Sequence, residues 1–238
     1  MPVAADALWC VVPAAGRGAR FGGAVAKQYV DLLGRPLLLR TLERLAAHPR
    51  VAGLMVVLAA DDRRWPGLIA IAGKPVLAAV GGAERAASVL AGLRALPAAI
   101  AATDCVLVHD AARPLLRAGD LDRLIDLGVR HTAGAVLAAP VRDTLKRAGD
   151  DGAVAATLPR AGLWRALTPQ LGRRGDLERA LSAAAQAGVA ITDEAMALER
   201  IGLYPLLVEG SDDNLKITTP ADLAYVAFRL SLQGDSQA

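Results

Sequence analysis

The stretch LWCVVPAAGRGARFGGAVAKQY, residues 8–29, joins a short apolar run to a glycine-rich loop. The run that ends at Pro13 has the length and the composition of a buried β-strand. Open α/β sheets bind their ligands beyond the carboxyl ends of such strands. The stretch therefore predicts a strand of a mainly parallel sheet with a ligand-binding loop directly after it.

The same rhythm of short apolar runs and longer amphipathic segments continues along the chain. Apolar runs predict buried strands at residues 8–13, 53–60, 75–80, 105–110 and 134–140. Helical spacing predicts helices at residues 36–47, 84–96 and 120–131. Because 54% of the residues are hydrophobic and only 3% aromatic, the core must consist of Ala, Val, Leu and Ile. We expect a Rossmann-like α/β fold with a mainly parallel mixed sheet, as one domain over residues 1–238.

The pattern changes after residue 140. In residues 141–160, two arms with a weak alternation of apolar and polar residues flank the turn residues 149–152. This pattern predicts a projecting β-hairpin. Helices are predicted at residues 176–187 and 193–201. A last helix is predicted to begin with Thr219 as its N-cap, Pro220 at its first position and Asp222 in its first turn.

Composition excludes several classes of protein. The formal net charge is +3, from 27 basic and 24 acidic residues. No run of Lys and Arg is dense enough to indicate binding to nucleic acid. The N-terminus lacks a basic leader, and no window reaches the roughly 18 apolar residues of a membrane span. Cys10 and Cys105 lie in separate apolar runs, which predicts reduced buried thiols and no zinc site. We expect a soluble cytoplasmic protein that acts on a small anionic ligand.

The glycine-rich loop is suited to a nucleoside triphosphate. Its glycines leave backbone N–H groups open to phosphate oxygens, and its basic residues add positive charge. The glycines are Gly16, Gly18, Gly22 and Gly23, and the basic residues are Arg17, Arg20 and Lys27. A dinucleotide fingerprint would need glycine in place of Phe21, and a P-loop would need Gly-Lys-Ser/Thr. A flexible loop with incidental basic residues is the alternative.

The pattern PAAGxGxRxxxxxxKQY in this loop resembles the opening signature of the 2-C-methyl-D-erythritol 4-phosphate cytidylyltransferases of the non-mevalonate isoprenoid pathway. Further segments resemble family blocks in the family's order, at residues 81–93, 106–114, 138–147, 163–170, 191–199 and 208–223. The resemblance spans about residues 10–230 and implies a nucleotidyltransferase fold. The chain departs from the family at Ala83, where an acidic residue is common, and at Ala26, where proline is common.

The resemblance implies that the phosphate of a sugar alcohol attacks the α-phosphorus of CTP and releases pyrophosphate. Aligning two anions requires cations and no protein nucleophile. By motif match the catalytic residues would be Arg20, Lys27, Arg160 and Lys216. Mg²⁺, or another divalent cation, would be held mainly by the CTP phosphates, and Asp212 and Asp213 could approach it. The alternatives are a cytidylyltransferase for another polyol phosphate, such as ribitol 5-phosphate, and a catalytically silent nucleotide-binding module.

The resemblance also implies two sets of binding residues. The nucleotide would contact Pro13, Ala14, Ala15, Gly16, Gly18, Gly82, Ser88, Asp110 and Ala111. The acceptor would contact Asp110, Arg113, Thr144, Arg160, Thr168 and Lys216. Judged from the chain alone, Asp110 could instead cap a turn, and His109 is expected to be a core histidine without a catalytic role.

The predicted hairpin indicates how the chain would assemble. Its short arms cannot bury both faces on themselves, so a hairpin of this kind would be marginal alone. In the family this segment is an arm that crosses to a two-fold partner. The resemblance therefore implies a homodimer in which Arg160 completes the partner's active site.

Overall fold

A computed structural model describes residues 7–16, 21 and 25–234 of the chain, with side chains up to Leu232. Its strands are β1 (Leu8–Pro13), β2 (Val51–Leu58), β3 (Ala70–Ile71), β4 (Lys74–Val80), β5 (Cys105–Val108), β6 (Ala135–Pro140), β7 (Leu145–Ala148), β8 (Val154–Leu158), β9 (Trp164–Arg173) and β10 (Leu206–Glu209). Its helices are α1 (Leu37–Ala46), α2 (Arg85–Arg94), α3 (Ala118–Gly128), α4 (Arg174–Gln186), α5 (Glu194–Arg200) and α6 (Pro220–Gly234), with a short 3-10 helix at Lys27–Tyr29.

Within the described ranges, eight strands form one sheet in the order β10-β6-β9-β5-β1-β2-β4-β3. The pairs β1–β2, β1–β5, β2–β4 and β6–β10 are parallel, whereas β9 runs antiparallel to both of its neighbours. All five predicted strands are present, and the mainly parallel mixed sheet is confirmed. Predicted strand 105–110 ends at Val108, because the carbonyl oxygen of Asp110 accepts a hydrogen bond from N of Arg113 and the chain turns.

The sequence reasoning missed three of the described strands: β9, β10 and the two-residue β3. Pro169 lies inside β9, and proline argues against a central strand because it cannot donate to the ladder. The sheet accommodates it at an irregularity: Gln170 pairs with Val136 and Ala166 pairs with Ala138, so the residues between them fall outside the regular register. A central strand can therefore contain Pro169, because the hydrogen-bonding pattern of the sheet is irregular at that point.

Helices cover both faces of the sheet and bury separate apolar clusters. On one face, leucines of α1 and α3 pack against Cys10 and Val12 of β1. On the other face, residues of α2, α4 and α5 pack against Val11 of the same strand. The alternation along β1 follows from the two-residue period of a strand. Cys10 and Cys105 are free thiols, and burial raises the pKa of Cys10 above its ordinary value.

The predicted hairpin is present as the antiparallel pair β7–β8, which forms its own two-stranded sheet with mostly exposed side chains. Gly152 closes its turn at a φ of +78°, a conformation that glycine adopts at little cost. The predicted start of the last helix is also confirmed: Oγ1 of Thr219 accepts from N of Asp222 at 3.2 Å, and Oδ2 of Asp222 accepts from N of Thr219 at 2.8 Å. Among the described helices, none is long and apolar enough to cross a membrane.

Candidate active site

A cleft of about 300 Å³ lies at the carboxyl ends of β1, β4 and β5, where open α/β sheets bind ligands. We call it the first chamber. It brings together eight of the nine predicted nucleotide-binding residues: Pro13, Ala14, Ala15, Gly16, Gly82, Ser88, Asp110 and Ala111. The ninth, Gly18, and the predicted catalytic residue Arg20 lie outside the described residues. Lys27 and Lys216, also predicted to be catalytic, line the same cleft.

A second chamber of about 260 Å³ adjoins the first. Arg113 and Thr168, two residues predicted to contact the acceptor, line this second chamber. Arg85, Asp110 and Lys216 line both chambers and therefore stand at their junction. Two ligands, one in each chamber, would meet at these three side chains.

Three cations surround the carboxylate of Asp110, which is 6% exposed. Its Oδ1 accepts from Nε of Arg85 at 3.0 Å, and its Oδ2 lies 2.9 Å from Nζ of Lys216. Nε of Arg113 lies 3.3 Å from the same Oδ2. Burial alone would raise the pKa of the Asp110 carboxyl group, but Arg85, Lys216 and Arg113 together hold that pKa well below its usual range. Asp110 is therefore a fixed anion at neutral pH.

Arg85 bridges Asp110 to Glu194, a pair of contacts that the sequence reasoning missed. Nη1 and Nη2 of Arg85 donate to the two carboxylate oxygens of Glu194 at 2.7 and 3.0 Å. Burial alone would lower the pKa of Arg85, but the negative charges of Glu194 and Asp110 raise it above the ordinary value. The place of Arg85 in the first turn of α2, directly after a ligand-facing loop, could have singled out Arg85 itself, but nothing local indicates its partners. We call Arg85, Asp110, Arg113, Glu194 and Lys216 the Asp110 cluster.

His109 and Thr168 fix the backbone at Asp110. A carbonyl oxygen can only accept, so Nε2 of His109 donates to O of Arg113 at 3.0 Å. Nδ1 then accepts from the Thr168 hydroxyl at 3.0 Å, and Oγ1 of Thr168 accepts from N of Asp110 at 3.0 Å. Burial lowers the pKa of His109 to about 4, so its imidazole is neutral near pH 7. This geometry places His109 in a structural network, in agreement with its expected core role.

Lys27 is held between the glycine-rich loop and the segment that carries Lys216. Its Nζ donates to O of Ile217 at 2.7 Å. The neighbouring Gln28 is buried, and its Nε2 donates to O of Ala14 at 2.8 Å, which ties the short 3-10 helix to the end of β1. Gln28 was also missed by the sequence reasoning. Lys27 is thus positioned by its own contact with the backbone at Ile217 and by the contact of its neighbour Gln28 with the backbone at Ala14.

The backbone is closely packed at Gly82, which lines the first chamber, and at the preceding Gly81. A Cβ atom at Gly81 would come within 2.6 Å of Oγ of Ser88, and one at Gly82 within 2.6 Å of Cβ of Ala87. Ser88 is 2% exposed, and its hydroxyl lies within hydrogen-bond distance of O of Glu84 at 3.1 Å and O of Gly82 at 3.3 Å. This wall of the first chamber therefore has room for backbone groups and a hydroxyl but for no larger side chain.

Thr144 and Arg160, two other predicted site residues, lie at the hairpin. Both are exposed, and neither lines the first or the second chamber. Arg160 donates from Nη1 to O of Arg142. The structure of one chain therefore does not bring these two residues to the Asp110 cluster.

Asp212 and Asp213, the two carboxylates expected to approach a metal ion, are both paired with arginines. Arg142 and Arg165 engage Asp212, and Arg117 and Arg229 engage Asp213. Within the described ranges there is no group of three or more His, Cys, Asp and Glu side chains that could hold a metal. Mg²⁺ is commonly bound through one or two carboxylates together with substrate phosphates. Both oxygens of Asp110 already face Arg85, Arg113 and Lys216, so the described side chains fit an ion that the phosphates of a nucleotide bring with them.

The fold and the cleft define a nucleotide-binding α/β protein whose two chambers meet at a cluster of cations. The chain belongs to the IspD family, the 2-C-methyl-D-erythritol 4-phosphate cytidylyltransferases, whose sequence profile matches residues 8–231. This agrees with the resemblance found in the sequence.

Relatives and solved structures of this family match nearly the whole chain. A relative of that name from Xanthomonas campestris pv. campestris strain 8004 is 64% identical over 224 residues, which cover 94% of this chain and 84% of the relative. A solved 4-diphosphocytidyl-2C-methyl-D-erythritol synthase is 38% identical with a TM-score of 0.82, covering 94% and 99% of the two chains. The cytidylyltransferase from Thermus thermophilus is 32% identical with a TM-score of 0.75, covering 94% and 98%.

Proposed function

We propose that this chain transfers CMP from CTP to 2-C-methyl-D-erythritol 4-phosphate, forming 4-diphosphocytidyl-2-C-methyl-D-erythritol and pyrophosphate. The observation that carries the proposal is the Asp110 cluster at the junction of two chambers, because three cations there face the place where two phosphorylated ligands would meet. Membership of the cytidylyltransferase family gives the chemistry of the two ligands.

The reaction needs alignment and charge neutralisation from the protein. With a second pKa of about 6, a phosphate monoester is largely dianionic near neutral pH and can attack without a general base. The phosphate of the acceptor, in the second chamber, would attack the α-phosphorus of CTP in the first. Lys27 would stabilise the charge on the transferring group, and Lys216 would orient the attacking oxygen. Arg20, on the same loop by motif match, would share the role of Lys27.

Mg²⁺ would accompany the triphosphate of CTP. When bound, it would neutralise charge on the phosphate oxygens of the nucleotide. The phosphates would supply most of its ligands, because both oxygens of Asp110 are paired with cations. We expect turnover to be lost when EDTA is added and to return with excess Mg²⁺.

Cytosine would be recognised at the wall formed by Gly82 and Ser88. Both residues line the first chamber, and membership of the cytidylyltransferase family assigns the base there as cytosine. Discrimination would then depend on the backbone at Gly82 and on the Ser88 hydroxyl. Ala83 supplies no side-chain acceptor at this wall, where an acidic residue is common in the family.

A homodimer would complete the site. Thr144 and Arg160 line neither chamber of their own chain, yet their motif positions assign them to the acceptor. The hairpin and its base carry exposed apolar side chains, with Val154 65%, Leu163 40% and Trp164 36% exposed. A second copy packed on this arm would bury those side chains and bring Arg160 to the partner's second chamber.

The direct test is pyrophosphate release from CTP in the presence of a panel of polyol phosphates. We expect the highest kcat/KM with 2-C-methyl-D-erythritol 4-phosphate, and mass spectrometry should detect its diphosphocytidyl product. A ribitol 5-phosphate reaction that is equally efficient would favour the alternative acceptor. ATP and GTP in place of CTP should give little product, and equal turnover with ATP would contradict the pyrimidine assignment of the first chamber.

A further inference from the structure

We propose that Glu194 is a positioning residue of the transfer reaction, which acts through Arg85 to keep Lys216 on Asp110. The inference rests on the proposed function. Glu194 is 1% exposed, and both of its carboxylate oxygens accept from Arg85. It lines neither of the two chambers, so it acts only through its partner.

The helix that carries Glu194 is held in place without the Glu194 side chain. Oε1 of Gln170 accepts from N of Ala195 at 2.8 Å, and Nε2 of Gln170 donates to Oδ2 of Asp193 at 2.9 Å. Oδ1 of Asp193 caps the helix by accepting from N of Met196 at 2.9 Å. Anchoring the first turn of α5 therefore does not explain why a carboxylate is buried at position 194.

Stability alone does not explain Glu194 either. Taking a carboxylate and a guanidinium out of water costs several kcal/mol per ion, and their mutual attraction often only offsets that penalty. Well-packed apolar residues in place of such a pair are often as stable. The buried Arg85–Glu194 pair, next to two ligand chambers, is therefore better explained by its effect on the other charges of the Asp110 cluster.

Glu194 determines which atoms of Arg85 face Asp110. With both Nη atoms on Glu194, only Nε of Arg85 reaches Oδ1 of Asp110, and Oδ2 stays available to Lys216. A guanidinium released from Glu194 would pair with both oxygens of Asp110, because bidentate pairing matches the geometry of a carboxylate. Lys216 would then lose its partner and its orientation.

The charge balance of the Asp110 cluster leads to the same conclusion. Three cations (Arg85, Arg113, Lys216) and two anions (Asp110, Glu194) sum to +1, since 3 − 2 = 1. A neutral residue at position 194 leaves 3 − 1 = +2, so the cations repel one another more strongly. Lys216 is the most exposed of the three, at 36% of its side chain, and is the one that can move away.

The test compares the full-length wild-type enzyme with Glu194→Gln and with Glu178→Gln. Glu178 is the matched control, because it pairs with Arg174 at 2.8 Å on α4 and lines neither chamber. We expect Glu194→Gln to lower kcat by about 10²-fold, the loss that a small misplacement of a reacting group can cause. The Kd for CTP should not rise, because the added positive charge favours the nucleotide. Glu178→Gln should behave as the wild type.

A second readout does not depend on turnover. Reductive methylation of Lys216 in the absence of substrates, measured by mass spectrometry relative to Lys74, should become several-fold faster in Glu194→Gln because Lys216 has left Asp110. An inactive wild-type enzyme would refute the proposed function, and the methylation rates would still decide the role of Glu194. Unchanged methylation, whether or not kcat falls, would overturn the inference.

Glu194→Asp keeps the inference testable if Glu194→Gln does not fold. A carboxylate one methylene shorter keeps the charge but cannot reach both Nη atoms of Arg85, so the guanidinium is again free to pair with both oxygens of Asp110, and the same faster methylation of Lys216 is expected. Adding Arg85→Lys to Glu194→Gln removes the guanidinium that would displace Lys216, so the losses of kcat in the double variant should be strongly non-additive. Additive losses would show that Glu194 and Arg85 act separately and would also overturn the inference.

Discussion

Nζ of Lys216 lies 2.9 Å from Oδ2 of Asp110, where the two chambers meet. The two residues come from distant parts of the chain, one after β5 and the other before α6. In the absence of a ligand, Asp110 supplies the negative charge that keeps Lys216, Arg85 and Arg113 close together. In the proposed reaction, a phosphate entering the second chamber would compete with Asp110 for Lys216, and the contact would hold Lys216 in place until the acceptor binds.

Asp110→Asn should destabilise the protein by about 3–5 kcal/mol, the usual cost of leaving buried charges without their partner. The pKa of the Asp110 carboxyl group is lowered on folding, so its stabilising effect is complete above the usual pKa of about 3.9 and is lost as the pH falls further. Urea unfolding from pH 7 to pH 3 measures both effects, and the variant should lose less stability in acid than the wild type.

The control for Asp110→Asn is Glu43→Gln. Glu43 pairs with Arg35 at 2.7 Å, the two side chains are 35% and 55% exposed, and such exposed pairs contribute about 1 kcal/mol or less. Equal losses in the two variants would contradict the importance of the buried cluster.

Lys27→Ala should fold normally and lower turnover by at least about 10²-fold, because it removes a charge directed at the developing transition state. Steady-state pyrophosphate release measures the effect, and Arg20→Ala is expected to behave in the same way. Lys74→Ala is the control, because Lys74 lies on β4 and lines neither chamber. A turnover near that of the wild type in Lys27→Ala would show that the loop does not act on the phosphates.

His109 should make the protein less stable as the pH falls from about 6.5 to about 4. Burial lowers the pKa of His109 to about 4, whereas an unfolded histidine has a pKa of about 6.5. The unfolded state therefore binds an additional proton in this window, and the unfolding free energy decreases by up to about 1.4 kcal/mol per pH unit. His109→Gln keeps a donor for O of Arg113 and should remove this part of the slope. An identical slope in both proteins would mean that His109 is charged in the folded state.

Mixing Lys27→Ala with Arg160→Ala chains should restore activity if Arg160 acts across a dimer interface. Each variant is expected to be nearly inactive alone. In a hybrid dimer one site regains both residues, so random exchange at equal amounts makes roughly half of the dimers hybrid and restores about a quarter of all sites. Mass spectrometry would verify the hybrids, and their continued inactivity would show that Arg160 acts within its own chain.

Local features of the chain determined much of the fold. The glycine-rich loop after β1, the turn at Gly152 and the capped start of α6 at Thr219 each depend on residues a few positions apart. The alternation of apolar runs and amphipathic helices, which is also visible over short stretches of sequence, indicated a mainly parallel sheet. Family resemblance predicted nine nucleotide-binding residues, and the fold brings the eight that are described into one cleft.

Only the tertiary structure decided how the charges of the site are paired. Arg85 and Glu194 are separated by 109 positions, and β9 enters the sheet between β5 and β6 despite Pro169. Neither relationship has a local signal, because it depends on sheet order, strand register and the direction in which each side chain leaves its element. A buried charge is stabilised by partners in space, and folding alone brings those partners within hydrogen-bond distance.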